Sequence, residues 1–171
     1  MLKAAIRDED PVLFFEHKYL YRRIKAPMPS PDHVVPLGKA RVAREGTDLT
    51  IVTYAATLWK ALEAAEQLQS EDGLSVEVID LRSVLPIDDE TIVASVRKTN
   101  RVLLVHEDTV TGGIAGELTA RINELCFEWL DAPVRRVAAH DVPLPYAPPL
   151  EDFVLPQTSD IMRASRWLAA Y

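Results

Sequence analysis

Cysteine occurs once in these 171 residues, at Cys126, so no internal disulfide is possible and a reducing, cytosolic compartment is the simplest expectation. No apolar run approaches the ~20 residues of a membrane span. Basic excess is also missing. The formal net charge of -7 argues against a general nucleic-acid binder, which needs cations to displace phosphate counterions, while an acidic surface suits a basic protein partner. Internal repeats and low-complexity tracts are absent, and the N-terminus MLKAAIRDEDPVLFF lacks the order of basic region, apolar region and cleavage site that marks a signal peptide. It reads instead as a chain entered mid-domain, a helix end running through RDEDP into a strand.

What remains is an ordinary globular composition, 48% hydrophobic and 26% charged. A chain of this length buries roughly 70% of its unfolded surface, enough for its own core. Val12–Glu16 is a short strand candidate. Pro27, Pro29, Pro31 and Pro36 then forbid regular structure, so residues 25–36 read as a linker between an N-terminal piece, 1–24, and a domain over 37–171. Lys39–Arg44 and Leu49–Ala55 flank Glu45-Gly-Thr-Asp48, a pattern that predicts an edge hairpin. Leu58, Ala61, Leu62, Ala65 and Leu68 recur at helical spacing, and Val76–Ile79 reads as a strand. Asp88 with Asp89 and Glu90 opens a helix carrying Ile92, Val93 and Val96.

Arg101–Val105 is near-continuously apolar, as in a strand covered on both faces. The next helix carries Ile114, Leu118, Ile122, Leu125 and Trp129 on one side, Val134–Ala138 is the last strand candidate, and Thr158 or Ser159 opens a terminal helix. Strand–helix alternation at this spacing predicts an α/β fold, a three-layer sandwich around a mostly parallel sheet with the hairpin at one edge.

Chemistry is thinly supplied. His106-Glu107-Asp108 ends the central strand, where open α/β sheets hold ligands, and Gly112-Gly113-x-x-Gly116 begins the following helix. The glycine spacing departs from the GxGxxG dinucleotide fingerprint, and four histidines spread over the chain give no metal-ligand pattern. Two readings stay open: a small nucleotide- or metal-binding protein using this turn, or a tight helix start at a close-packed interface. Cys126 beside Leu125 and Phe127 reads as a small hydrophobe, and Asp80 with Arg82 as a structural ion pair. Asp8, Glu9 and Asp10 before Pro11 form an acidic turn that offers oxygens to a cation.

Several longer phrases then stand out: PVLFFEHKYLYR, VPLGKARVAREGTDLTIVTYA, VEVIDLRSVLPIDDETIVASVRKTNRVLLVHEDTVTGGIAGEL and DAPVRRVAAHDVPLPYAPPLED. Together they resemble the β subunit of thiamine-diphosphate-dependent 2-oxo acid dehydrogenases, enzymes that decarboxylate pyruvate or branched-chain 2-oxo acids and pass the acyl group to a lipoyl-bearing acyltransferase. The resemblance implies that residues 1–24 are the tail of an incomplete pyrimidine-binding domain and that 37–171 are the transketolase-type C-terminal domain. The activating glutamate belongs to the segment not matched here, so thiamine diphosphate and magnesium serve the complete enzyme and this chain alone is expected to be inactive.

The resemblance further implies pairing with a second β subunit, contact with the α subunit and docking of the acyltransferase's subunit-binding domain. Asp131, Ala132, Pro133 and Tyr171 correspond to the docking region, and His106, Glu107, Gly112, Gly113 and Gly116 are expected at a subunit interface. Ala5 (through its carbonyl), Asp8 and Asp10 match three ligands of a structural potassium ion. The compartment implied is the cytoplasm of a bacterium, or the mitochondrial matrix in a eukaryote.

Overall fold

A computed structural model describes residues 1–171. Five strands form one sheet: β1 (Arg41–Arg44), β2 (Leu49–Thr53), β3 (Val76–Asp80), β4 (Val102–Thr109) and β5 (Arg135–Ala139). Their spatial order is β1-β3-β2-β4-β5, parallel except for β1. Helices α2 (Thr57–Asp72) and α6 (Thr158–Ala169) cover one face, and α3 (Asp89–Thr99) and α4 (Ala115–Cys126) cover the other. A short α1 (Leu2–Arg7) and α5 (Pro148–Val154) lie at the margins.

Alternation along β4 separates the two layers. Leu103 and Val105 pack with Leu58, Leu68, Ile161 and Leu168, whereas Val102 and Leu104 pack with Ile92, Val96, Leu118 and Ile122. Two buried faces explain why β2, β3 and β4 read as apolar runs rather than alternating ones.

The expected hairpin does not form. β1 pairs antiparallel with β3 (Arg41 with Asp80, Val42 with Ile79), and β3 lies between β1 and β2. The reason is competition for β2. All five of its residues are buried, with parallel partners on both sides, so β1 can only take the free edge of β3. Glu45–Asp48 steps over the amino end of β3 instead. Thr47 N and Asp48 N donate to the Ser75 carbonyl at 3.0 and 2.9 Å, and Ser75 N donates to Asp48 Oδ2 at 2.7 Å. Gly46 allows the crossing because a Cβ there would lie 2.2 Å from Glu77 N. Strands two places apart are only about 10 Å from each other, well within the reach of four residues.

Val12–Glu16 forms no strand and pairs with none of the five; Leu13 and Phe15 project into solvent. No helix or strand occurs between Arg22 and Arg41. On α4 the buried set is Ala115, Leu118, Ile122 and Cys126, while Leu125, expected inside, is 44% exposed. Trp129 lies past the helix end with the Arg97 guanidinium 4.0 Å above its ring. Cys126 is buried, and burial pushes its thiol pKa up, as befits an inert hydrophobe. Asp80 meets Arg82 at 3.7 Å and Arg41 at 3.4 Å. The last helix is opened by Gln157 rather than Thr158 or Ser159, with Gln157 N donating to Asp160 Oδ2 in a reciprocal cap.

Asp88 caps α3 as the sequence implies. Its carboxylate accepts from Thr91 N at 3.3 Å, Thr91 Oγ1 at 2.8 Å and Ala40 N at 2.9 Å, tying helix to edge strand. Burial alone would raise this carboxyl; the donors and Lys39 outweigh it and hold the pKa below the ordinary value. A lowered carboxylate pKa stabilises the fold above the unfolded value near 4 and loses that contribution as pH falls below it. Asp88→Ala is expected to cost about 1–2 kcal/mol in urea unfolding at pH 7, with the deficit shrinking towards pH 3.

Candidate functional site

The β4 carboxyl end and the turn after it hold the residues that sequence patterning singles out. His106 follows Val105 on the α3/α4 face and is 2% exposed. Its side chain therefore lies inside this chain, beneath the turn that follows β4. The cause is Gly113. A Cβ there would lie 2.6 Å from His106 Cε1 and 2.4 Å from the Thr109 carbonyl, so the turn closes directly over the ring. Gly113 thus makes its close approach within the chain, while Gly112 (φ +81°) and Gly116 face open space. Burial pushes the His106 pKa down; Asp108 opposes this and Arg136 reinforces it.

Glu107 points to the opposite face and meets His17 Nε2 at 2.8 Å, which pins the N-terminal segment to the end of β4. Beyond it, the Asp141 carboxylate from the end of β5 accepts from Thr111 N at 2.9 Å and Thr111 Oγ1 at 2.6 Å, and Thr109 Oγ1 donates to the Thr111 carbonyl. The Thr111 hydroxyl and amide hold the Asp141 pKa below the usual carboxylate range. Asp141 is thereby the anion of this turn. An external phosphate would have to displace it or lie against it, so the geometry opposes a phosphate cradle.

At the opposite, amino end of the sheet, Asp131 N donates to the Asn100 carbonyl at 2.9 Å, and its carboxylate lies 3.9 Å from Arg101. Asp131, Pro133 and Tyr171 are exposed, but Ala132 is buried in the α2/α6 core and presents no side chain to a partner. Two residues that patterning does not single out join these: the Arg135 guanidinium stacks 4.4 Å over Trp167, whose ring lies 5.2 Å from that of Tyr171. Trp167 in the last helix and Tyr171 just past its end stand four residues apart, and that spacing is the signal for the ring pair.

At the N-terminus, Ala5 lies in α1, Asp8 caps its end, and Asp8 Oδ1 accepts from Asp10 N at 3.0 Å. Three groups fall short of the six or so oxygens that a hard cation such as calcium takes.

Residues 38–161 match the family described as Transketolase, C-terminal domain. The chain belongs to this family. Over its whole length it is 50% identical to the 2-oxoisovalerate dehydrogenase subunit beta of Bacillus subtilis (strain 168), of which it covers 52%. It is 46% identical to that organism's pyruvate dehydrogenase E1 component subunit beta, covering 97% of this chain and 50% of the relative. To the mitochondrial pyruvate dehydrogenase E1 component subunit beta-1 of Arabidopsis thaliana it is 49% identical, with 97% and 46% covered. This transketolase C-terminal domain chain spans about half the length of these relatives. A solved split-gene transketolase, described as an inactive β4 tetramer, aligns with a TM-score of 0.68 at 31% identity, covering 85% of this chain and 46% of that one. No helix is long and apolar enough to cross a membrane.

The family resemblance implies thiamine diphosphate with magnesium. Magnesium takes a near-octahedral oxygen shell built around carboxylates and phosphate. No three His, Cys, Asp or Glu side chains converge on one point here, and the Thr111 donors already serve Asp141. The residues of this chain do not by themselves fit that cofactor.

Proposed function

We propose that this chain acts as the C-terminal domain of the β subunit in the decarboxylating component of a 2-oxo acid dehydrogenase, acting on a branched-chain 2-oxo acid or pyruvate. Its task is to pair β subunits and to seat the lipoyl-bearing acyltransferase. Thiamine diphosphate activation and decarboxylation rest on residues outside these 171 and on the α subunit, so the chain alone leaves 2-oxo acids untouched. Ala5, Asp8 and Asp10 contribute part of a potassium shell that other residues complete.

The observation that carries this reading is the apolar carboxyl end of the sheet. Val84 and Leu85 after β3, and Val142, Leu144, Tyr146, Leu150 and Phe153 after β5, are all exposed there. Leu13 and Phe15 are exposed in the segment that His17 pins to β4. Large apolar side chains gathered at one end of a small domain mark an interaction surface. The rival reading, a self-sufficient nucleotide or metal binder at the His106 turn, loses its footing to the Asp141 contacts.

Docking belongs to the other end. Asp131, Pro133 and the Arg135–Trp167–Tyr171 stack form an exposed patch that joins a carboxylate to aromatic rings, of the kind a basic helical domain recognises. Calorimetric titration with an isolated subunit-binding domain tests this. Binding is expected to weaken about tenfold when Tyr171 is deleted and to fall with added salt. Absence of binding to the intact chain, or binding indifferent to both changes, would count against the docking role.

A further inference from the structure

His106 lies in the second half of β4, one position after the last β2–β4 pair, Thr53 with Val105. Its side chain is sealed from solvent, and neither Nδ1 nor Nε2 has a hydrogen-bond partner. The tip of the ring points at the first turn of α4, since a Cβ at Gly113 would lie 2.6 Å from Cε1 and 3.2 Å from Nε2. A proton on this ring would therefore set a buried cation against the positive end of a twelve-residue helix.

The charged groups around it are few. Asp108 on the same strand favours a proton through its charge and through its backbone, and Arg136 on β5 disfavours it. The phenol of Tyr54, next after the paired residues of β2, is neutral, and Gly112 to Gly116 carry no titratable side chain. Burial outweighs Asp108 and keeps the imidazole neutral.

We infer that His106 is a proton-operated release for the Thr109–Gly116 turn: neutral, it is clamped beneath Gly113, and protonated, it is accommodated only when the first turn of α4 lifts. The consequence for assembly rests on the function proposed above. The opening itself occurs within the isolated chain, so the two stand or fall by different measurements.

The test is amide hydrogen exchange of the intact chain at Gly112, Gly113, Ala115 and Gly116, corrected for the intrinsic pH dependence of exchange. If only the open turn accepts the proton, with an ordinary histidine pKa near 6.5, protection falls about tenfold between pH 7.5 and 5.5. His106→Gln, neutral at both pH values, should hold its protection within about twofold, and His17→Gln should keep the tenfold fall. Unchanged protection in the wild type, or an equal fall in His106→Gln, would overturn the inference. If His106→Gln does not fold, the wild-type ring resonance decides: it should remain neutral well below pH 6.5 while the turn is closed. Titration near 6.5 with the turn still protected would contradict the release.

Discussion

Gly113→Val is expected to lower the thermal midpoint by about 6–12 °C, corresponding to about 3 kcal/mol in a domain of this size. The first carbon of the new side chain meets the Thr109 carbonyl at 2.4 Å and His106 Cε1 at 2.6 Å. Neither neighbour can retreat: the oxygen belongs to the end of β4, and the imidazole fills the space beneath α4. The substitution must therefore lift the turn or displace the ring. Gly116→Ala, where nothing lies within 4 Å, is the matched control and should be neutral or slightly stabilising through helix propensity. Equal midpoints for Gly113→Val and the wild type would show that the turn is looser than these contacts require.

The second large effect concerns Glu77, a carboxylate buried near the start of β3. Its Oε2 meets the Lys98 ammonium from α3 and accepts from Gly46 N at 3.4 Å, while Oε1 has no partner. Burial by itself would lower the lysine pKa; Glu77 and Glu45 outweigh it and raise it, so the ammonium stays charged. Lys98→Met strands the carboxylate. Breaking a fully buried pair costs about 3–5 kcal/mol, and because Lys98 reaches solvent the expected loss is nearer 2–3 kcal/mol. The double variant Lys98→Met, Glu77→Leu should recover most of the loss in urea unfolding. A single variant as stable as the wild type would contradict the pairing.

The layers were legible from sequence because their signals are local. Helical spacing in α2 and α3, the Asp88 cap and the uninterrupted apolar run of β4 each follow from one stretch of chain. The β1–β2 connection was not legible, because a glycine turn between two short apolar stretches also fits a hairpin. What distinguishes it is that β2 is claimed by β3 and β4, a non-local competition. Val12–Glu16 has strand composition but pairs with no strand of the sheet. His106 looked like a ligand or interface residue because its type carries chemistry; its burial depends on how Gly113 folds back, which spacing does not encode. The Arg135–Trp167 stack joins residues 32 positions apart, and only the packing of α6 over β5 brings them together.

The central claim, that this is an assembly domain working through the carboxyl end of its sheet, is tested most directly by sedimentation equilibrium of the intact chain. Self-association to a dimer is predicted. Combined Leu144→Glu and Tyr146→Glu should weaken it at least about tenfold, and Arg163→Glu on the exposed side of α6 should leave it unchanged. A chain that stays monomeric at the highest attainable concentration, or a dimer indifferent to glutamates at positions 144 and 146, would contradict it.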